Sequence, residues 1–566
     1  MSRLIAPVLF AALAAGCPNT ETTLGDVTEP SITLVSPQRA EWLDLGVTDV
    51  NGEWQALTDI SVNEQVMAVS GTLTGDFGGQ LELGRGITIV EASGVDNRGD
   101  STFVKSHVLA GEFTGPRVAV EDAAIVRLNE EGISVILNTV EDAVDPVLLT
   151  SILVTPDPIY EGEFLDFDND SEGLIGIDLY VDGVDLSYVE LDVVLMEDEM
   201  AFTASIYGLD IDTSVVAFFS GSQLFDTGVA VFAERVDITG TLTMSAFQGE
   251  LDVQLLDSDV QVTDLAIDLS AIPGNFEEQI LGPVLEGVVE TQVSGLLGEQ
   301  ITTLMRETLS AFDLSFETEL LGKPVVVDAE FSGASIDPAG VELRMDVDVD
   351  MPNTTVHPYT GVLTAPGVRP TPDANADVSL SLWDDMLNKM LFEAWRADML
   401  VQNLSSEDGS LTPIALLALQ ADRATIAVDG LLPPVVVQDE GGNLEAQLGE
   451  VYIIIDMEGS DLGTHLELAL AVNVDVDIDV VDGVIDVGLG TPELDIMVRD
   501  SDWGASNEAV SALLVDVLPI DLILSLIGDL TFPLPELPGL TVDANAGRDG
   551  NGTHTAVRLS LRQTEQ

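Results

Sequence analysis

Asp166, Asp168 and Asp170 stand at alternate positions in Asp166-Phe-Asp-Asn-Asp-Ser-Glu-Gly173, the spacing at which a calcium loop supplies its first oxygen ligands. The match is partial. The glycine comes two positions late and Ile177 holds the place of the closing glutamate, so the three aspartates are a weak calcium candidate. Asp475, Asp477 and Asp479 form a second carboxylate series. Same-face neighbours on a strand lie roughly 6.6 Å apart whereas calcium holds oxygens at about 2.4 Å, which marks a solvated face. The four histidines, His107, His357, His465 and His554, are widely separated, and His465 falls on a predicted strand where a structural role is expected. There is no G-x-S-x-G elbow, H-E-x-x-H helix, Walker loop or paired-cysteine site. Acidic pairs such as Asp384-Asp385 carry no weight among 99 acidic residues. These patterns point away from an enzyme and call for no cofactor.

Cys17 is the single cysteine, and its surroundings specify a covalent modification. It follows Leu13-Ala14-Ala15-Gly16, one basic residue, Arg3, and an apolar run from Leu4 to Ala15. That run is about a dozen residues, short of the roughly 20 that span a bilayer, and small residues before the cysteine suit a lipoprotein signal peptidase. The expectation is a signal peptide over residues 1–16 and a lipidated Cys17 that anchors the protein to a membrane. Pro18 and Asn19 favour the outer membrane, so the expected location is a bacterial cell envelope, periplasmic or surface-exposed. The formal charge of −80 repels nucleic-acid phosphates and anionic headgroups, which argues against a nucleic-acid partner. Dense carboxylates also keep a surface hydrated in a salty medium. With one cysteine and 46% hydrophobic residues, stability must come from packing in a sizeable core.

Residues 17–29 are polar and threonine-rich, as a tether would be. Residues 30–113 read as short strands: Ser31 to Val35, Gln65 to Val69, Gly75 to Gly78 and Gly86 to Val90, with a turn at Asp96-Asn97-Arg98-Gly99. The spacing predicts a β-sandwich, and the run from Gly71 to Gly99 resembles bacterial Ig-like modules. Further on, Val472, Val474, Val476, Ile478 and Val480 alternate with Asn473, Asp475, Asp477 and Asp479, a strand with one greasy and one acidic face. Asp482-Gly483 and Asp182-Gly183 read as hairpin turns. Apolar spacing predicts helices over 121–149, 275–309, 381–404 and 506–526, the second with Asn275 as N-cap. Helix and β regions therefore alternate twice, the mark of a duplication.

Four segments, in order, resemble the tubular lipid-binding superfamily and its branch like the bactericidal permeability-increasing protein. They are Ala124-Ile-Val-Arg-Leu-Asn-Glu-Glu-Gly-Ile133, residues 275–312, the stretch from Val378 through Trp383-Asp-Asp-Met-Leu387 to Leu400, and Phe532-Pro-Leu-Pro-Glu-Leu537 with the strands after it. The resemblance implies a mainly β fold with long helices (α+β). It implies two pseudo-repeated modules, residues 117–365 and 366–566, each a curved antiparallel sheet wrapped around a long helix. It also implies an apolar pocket for the chains of a phospholipid or other acyl lipid. The candidate lining residues are Ile136, Ile280, Val284, Val288, Leu387, Leu391, Trp395 and Leu513. Two departures stand out: the family's disulfide cannot form, and its basic tip is missing. The rival expectation is a surface-structural or adhesive lipoprotein with a closed core and no ligand, since interiors usually close-pack.

Overall fold

The computed structural model describes residues 29–143, 158, 160–164, 175–219, 222–268, 270, 294–351, 361–365, 373, 376–439, 442–481, 483–503, 524–525, 527–528, 530–535, 537, 540–548 and 554–563. The described residues form two compact units. Those up to Arg39, with Val47–Glu82 and Ile89–Ser106, make the first; Ala40–Gly46, Leu83–Thr88 and everything from His107 onward make the second.

In the first unit, strands Ser31–Ser36, Gly46–Gln55, Thr74–Leu83 and Ala68–Val69 lie side by side in that order, and Gly86–Val95, Thr58–Val62 and Gln65–Val66 are consecutive in another sheet. Period-two patterning decides which side chains go in: along Gly46–Gln55, Val50, Gly52 and Trp54 are buried while Asn51 and Glu53 are exposed. Gly52 is dictated by close approach, because a Cβ there would sit 2.2 Å from the Thr33 carbonyl oxygen and 2.4 Å from the Phe77 ring. The predicted turn is present, with Asp96 Oδ1 accepting from the backbone N–H of Arg98 (2.7 Å) and Asp100 (2.9 Å).

The second unit is organised by a seven-stranded sheet in the order Phe316–Leu320, Lys323–Asp337, Gly340–Asp350, Val120–Asn129, Val378–Trp383, His554–Gln563, Leu540–Arg548. Val120–Asn129 and Val378–Trp383 are antiparallel neighbours, with Val126 opposite Leu380. Each runs directly into a helix. The described helices are α1 (Glu130–Ala143), α2 (Ser294–Ser310), α3 (Asp384–Arg396) and α4 (Pro413–Ala418). Asn129 Oδ1 caps α1 by accepting from the Gly132 N–H at 2.8 Å, and Glu130 and Glu131 suit its positive N-terminal end. Asp384 and Asp385 in the first turn of α3 and Arg396 in its last turn do the same for that helix.

Between α1 and α2 lies a six-stranded sheet, Tyr160–Phe164, Ile175–Asp185, Met200–Phe219, Ser222–Phe247 and Glu250–Asp268, with Tyr188–Leu195 also paired to Met200–Phe219. A crease crosses it. Tyr207 pairs with Arg235 and Leu209 with Ala233, so Gly208 and Glu234 oppose each other without joining the ladder. Thr263 and Leu265 pair on either side of Asp264 in the same way. Gly208 has φ +62 and Asp264 φ +51. At this line the buried set changes parity, from Val229, Val231 and Ala233 to Val236 and Ile238 on one strand, and from Phe202, Ala204 and Ile206 to Leu209 and Ile211 on the next. After α3 comes an eight-stranded sheet built on Leu444–Glu458 and His465–Val481.

Among the described residues the predicted long helix inside each curved sheet is not found. Among the described residues the four helices hold 14, 17, 13 and 6 residues, while strands run to 26 residues and the molecule is mostly β. The physical reason is visible at two of the predicted helices. Ala123, Ala124, Ile125 and Val126 are all buried, as are Val378 to Leu382. These strands are covered on both faces, so their period of two is hidden and their apolar residues read as the start of the helix that follows. Apolar sheet faces pack against each other and against short helices in one continuous cluster from Val120 to Leu561. Asp182-Gly183 is not a hairpin either: Ile175–Asp185 runs through it with a shift of register between Val181 and Gly183, the behaviour of a bulge. The strand expected at 472–480 is as read, with Val472, Val474 and Val476 buried and Asp475, Asp477 and Asp479 exposed. Val481 pairs with Val484 around Gly483, φ +78.

Candidate functional site

Four of the expected lining residues are described, and all are buried: Ile136 (0% exposed), Leu387 (6%), Leu391 (0%) and Trp395 (3%). They belong to one core cluster. Trp395 is fixed further by donating its indole N–H to the Gly430 carbonyl at 2.6 Å. Leu387 borders an apolar crevice with Leu382, Met386, Ile478, Ile485 and Phe532, whose free volume of about 20 Å³ suits one water molecule. Ile280, Val284, Val288 and Leu513, the lipidation candidate Cys17 and the calcium candidates Asp166, Asp168 and Asp170 lie outside the described residues.

An open apolar strip does exist, on Glu250–Asp268. Its first residues are sealed, Leu251 and Val253 being 3% exposed, but Val260, Val262, Leu265 and Ile267 are only half-buried against the core. Their ladder partners Ile238, Val236, Ala233 and Val231 are all at 2% or less. The change of parity at Asp264 keeps all four on the inner face, so the strip continues across the crease. Only aliphatic side chains line it.

The other candidate surrounds α3, whose residues from Asp384 to Trp395 are all buried. A helix buried on every side must satisfy its polar groups internally. Asn388 does so by bonding both backbone groups of Val436, accepting from its N–H at 2.6 Å and donating to its carbonyl at 3.1 Å. Lys389, 0% exposed, donates to the carbonyls of Pro116 (2.7 Å) and Val118 (3.3 Å) and lies 2.8 Å from Asp348 Oδ1. Asp385, 2% exposed, accepts from Arg85 Nη2 at 2.9 Å and from the Ala365 N–H. Burial pushes the Asp385 carboxyl up to about 6, against the lowering pull of Arg85. Burial likewise lowers the Arg85 guanidinium, with Asp385 and then Asp384 opposing it.

Asp385 also borders a cavity of about 440 Å³ with Val118, Glu121, Asp122, Trp383 and His554. Trp383 and His554 are ladder partners whose rings lie 5.1 Å apart. Leu382 and Thr555, the preceding pair, border the apolar crevice, and Trp383 borders it too. Trp383 is thus shared by a polar hollow and an apolar one. Sequence reasoning missed Asp385, Lys389 and His554. The available signal was Lys389 and Asn388 inside a run rich in Met, Leu and Trp, which fits a helix covered on all sides better than one with a wet face.

Elsewhere, His465 stands between Asp456 (2.7 Å) and Glu467 (3.2 Å), and its hydrogen bond to Asp456 raises its pKa above the ordinary value. Among the described residues no group of three or more His, Cys, Asp and Glu side chains is placed to hold a metal ion. Among the described residues no helix is long and apolar enough to cross a membrane.

No family model and no curated protein matches the sequence. Among solved structures, the crystal structure of a lipopolysaccharide binding protein aligns at 15% identity over 79% of this chain and 100% of its own, with a TM-score of 0.39. Fibronectin(III)-like modules of Clostridium thermocellum CbhA align at 17% identity over 36% of this chain and 93% of theirs, with a TM-score of 0.12. Superpositions this loose do not define a shared fold.

Proposed function

We propose that this chain binds an acyl lipid in a bacterial cell envelope, held to the outer membrane through a lipidated Cys17, and carries or transfers that lipid without catalysis. The carrying observation is the half-buried strip Val260, Val262, Leu265 and Ile267, which continues a sealed apolar face to an open edge. A linear hydrocarbon matches a row of aliphatic side chains with no polar group to satisfy, and each methylene it buries contributes about 0.8 kcal/mol. The sequence segments that resemble the tubular lipid-binding superfamily support the same reading. The formal net charge of −80 is no obstacle when binding rests on the acyl chain and not the headgroup.

A second reading, a structural or adhesive protein with a filled core, is favoured by the tight packing around Leu391 and Trp395 and by the crevice of about 20 Å³. One experiment separates them: native mass spectrometry with lipid extraction on the protein starting after Cys17, purified without detergent. One or two acyl lipids per chain support lipid binding. A lipid-free mass, unchanged after incubation with liposomes, supports the filled core.

A further inference from the structure

We propose that the cavity of about 440 Å³ beside α3 is a binding site for a small organic cation, a primary or quaternary amine. This does not rest on the acyl-lipid reading, because the cavity is remote in sequence from the strip on Glu250–Asp268.

Three features carry it. The described lining includes three carboxylates, Glu121, Asp122 and Asp385, the last paired with Arg85, and its basic side chains are limited to His554, so the hollow favours cations over anions. Its aromatic wall is Trp383, the side chain with the strongest attraction for an ammonium over its face. The Trp383 Nε1 atom is buried with no hydrogen-bond partner among the described residues, a donor that an oxygen on the ligand would satisfy. Val118, Val120 and Ile125 supply apolar wall for methyl or methylene groups. An amine carrying an oxygen two or three bonds away, as in an amino alcohol, uses all of these. The volume falls in the range typical of small-molecule sites.

The shape of the site is held from behind. Lys389 ties down the backbone of Pro116 and Val118, and Asp385 is clamped by Arg85 and the Ala365 N–H, so the wall is fixed without a cation in the hollow itself.

The test is isothermal titration calorimetry of the whole chain with choline and with ethanolamine, against inorganic phosphate. It is run at about 0.5 M salt, where the screening length falls to roughly 4 Å and diffuse attraction to the acidic surface is suppressed. Saturable binding of one amine per chain is expected, with no heat from phosphate. Glu121→Gln should weaken it about five- to tenfold, as expected for loss of one nearby charge at intermediate dielectric. Ala119→Trp, which fills the hollow from a loop, should abolish it with an unchanged melting temperature. The proposal is overturned if neither amine binds saturably, if phosphate binds as well, or if binding survives in a folded Ala119→Trp protein. Lipid found by mass spectrometry with no amine binding removes this site alone; amine binding by lipid-free protein removes only the acyl-lipid reading.

Discussion

His107 Nδ1 lies 2.7 Å from Glu450 Oε2, with both side chains wholly shut off from solvent. Arg499 completes the group, its Nη2 standing 3.0 and 3.2 Å from the two carboxylate oxygens. Glu450 reaches inward because Leu444–Glu458 shifts register between Leu448 and Val451, and Glu450 itself adopts φ +48. Its neighbour Gly449 has no room for a side chain, since a Cβ would stand 2.5 Å from Ile87. A buried pair of this kind adds little net stability, yet removing one member strands the other charge.

Glu450→Gln should therefore cost about 3 to 5 kcal/mol by removing the buried carboxylate that His107 and Arg499 share. Calorimetric melting checks it. A shift too small to correspond to 1 kcal/mol would show that water reaches Arg499.

Asp385 makes stability depend on pH. Its folded-state pKa of about 6 exceeds the ordinary 3.8, so the folded chain holds this proton more tightly than the unfolded chain. The contribution is complete below about pH 4 and is lost as pH rises through about 6, a difference of roughly 3 kcal/mol. Asp385→Asn removes that dependence. The melting temperature of the native protein relative to this variant should fall between pH 4 and pH 7, and a constant gap across that range would be inconsistent with the burial described.

Lys389→Met keeps the length of the side chain but leaves two carbonyls and Asp348 without their donor. A loss of about 1.5 to 3 kcal/mol is expected, the worth of hydrogen bonds made by a charged group. Hydrogen exchange should quicken around residues 115–119, which the lysine holds. Unaltered exchange there would mean that the loop is fixed by other contacts.

Val262→Glu should abolish co-purified lipid while lowering stability less than a change at a sealed position would, because the residue is only partly buried. Its ladder partner Val236, at 0% exposure, is the control: Val236→Ala should cost about 2 to 3 kcal/mol. Retention of lipid by Val262→Glu would move the acyl site elsewhere.

Gly208→Ala tests the crease. At φ +62 an L side chain is strained, and its Cβ would stand 2.4 Å from Ser187 Oγ. A loss of about 1 to 2 kcal/mol is expected, read from thermal unfolding. A neutral result would mean that the crease can flatten.

What the sequence disclosed follows from which faces are wet. The strand at 472–480 was legible because aspartates alternate with valines, and the turn at Asp96 because its residues prefer that geometry. The strands before α1 and α3 were not, since burial on both faces removes the alternation that marks a strand. Of the candidate site, Leu387, Leu391 and Trp395, expected as pocket lining, are buried in the core, and periodicity cannot distinguish a filled core from a lined pocket. The half-open strip on Glu250–Asp268 was invisible for a different reason. Val260 and Val262 count on one parity and Leu265 and Ile267 on the other, and only the backbone at Asp264 reveals that they share a face. Asp385 was hidden by the abundance of acidic charge: in a chain with 99 acidic residues, the few that are buried look like all the others.

The seven-stranded sheet also sets the order in which the chain can mature. Val120–Asn129 must wait for Gly340–Asp350 on one side and Val378–Trp383 on the other, and Val378–Trp383 must in turn wait for His554–Gln563. Such distant pairings fold slowly, because loop entropy is lost before the contacts form. Until residues 554–563 emerge, the apolar strand Val378–Trp383 offers an unpaired edge to any other nascent chain. Folding of this chain should therefore lean on holding chaperones, and the strand His554–Gln563 acts as the latch that ends their work.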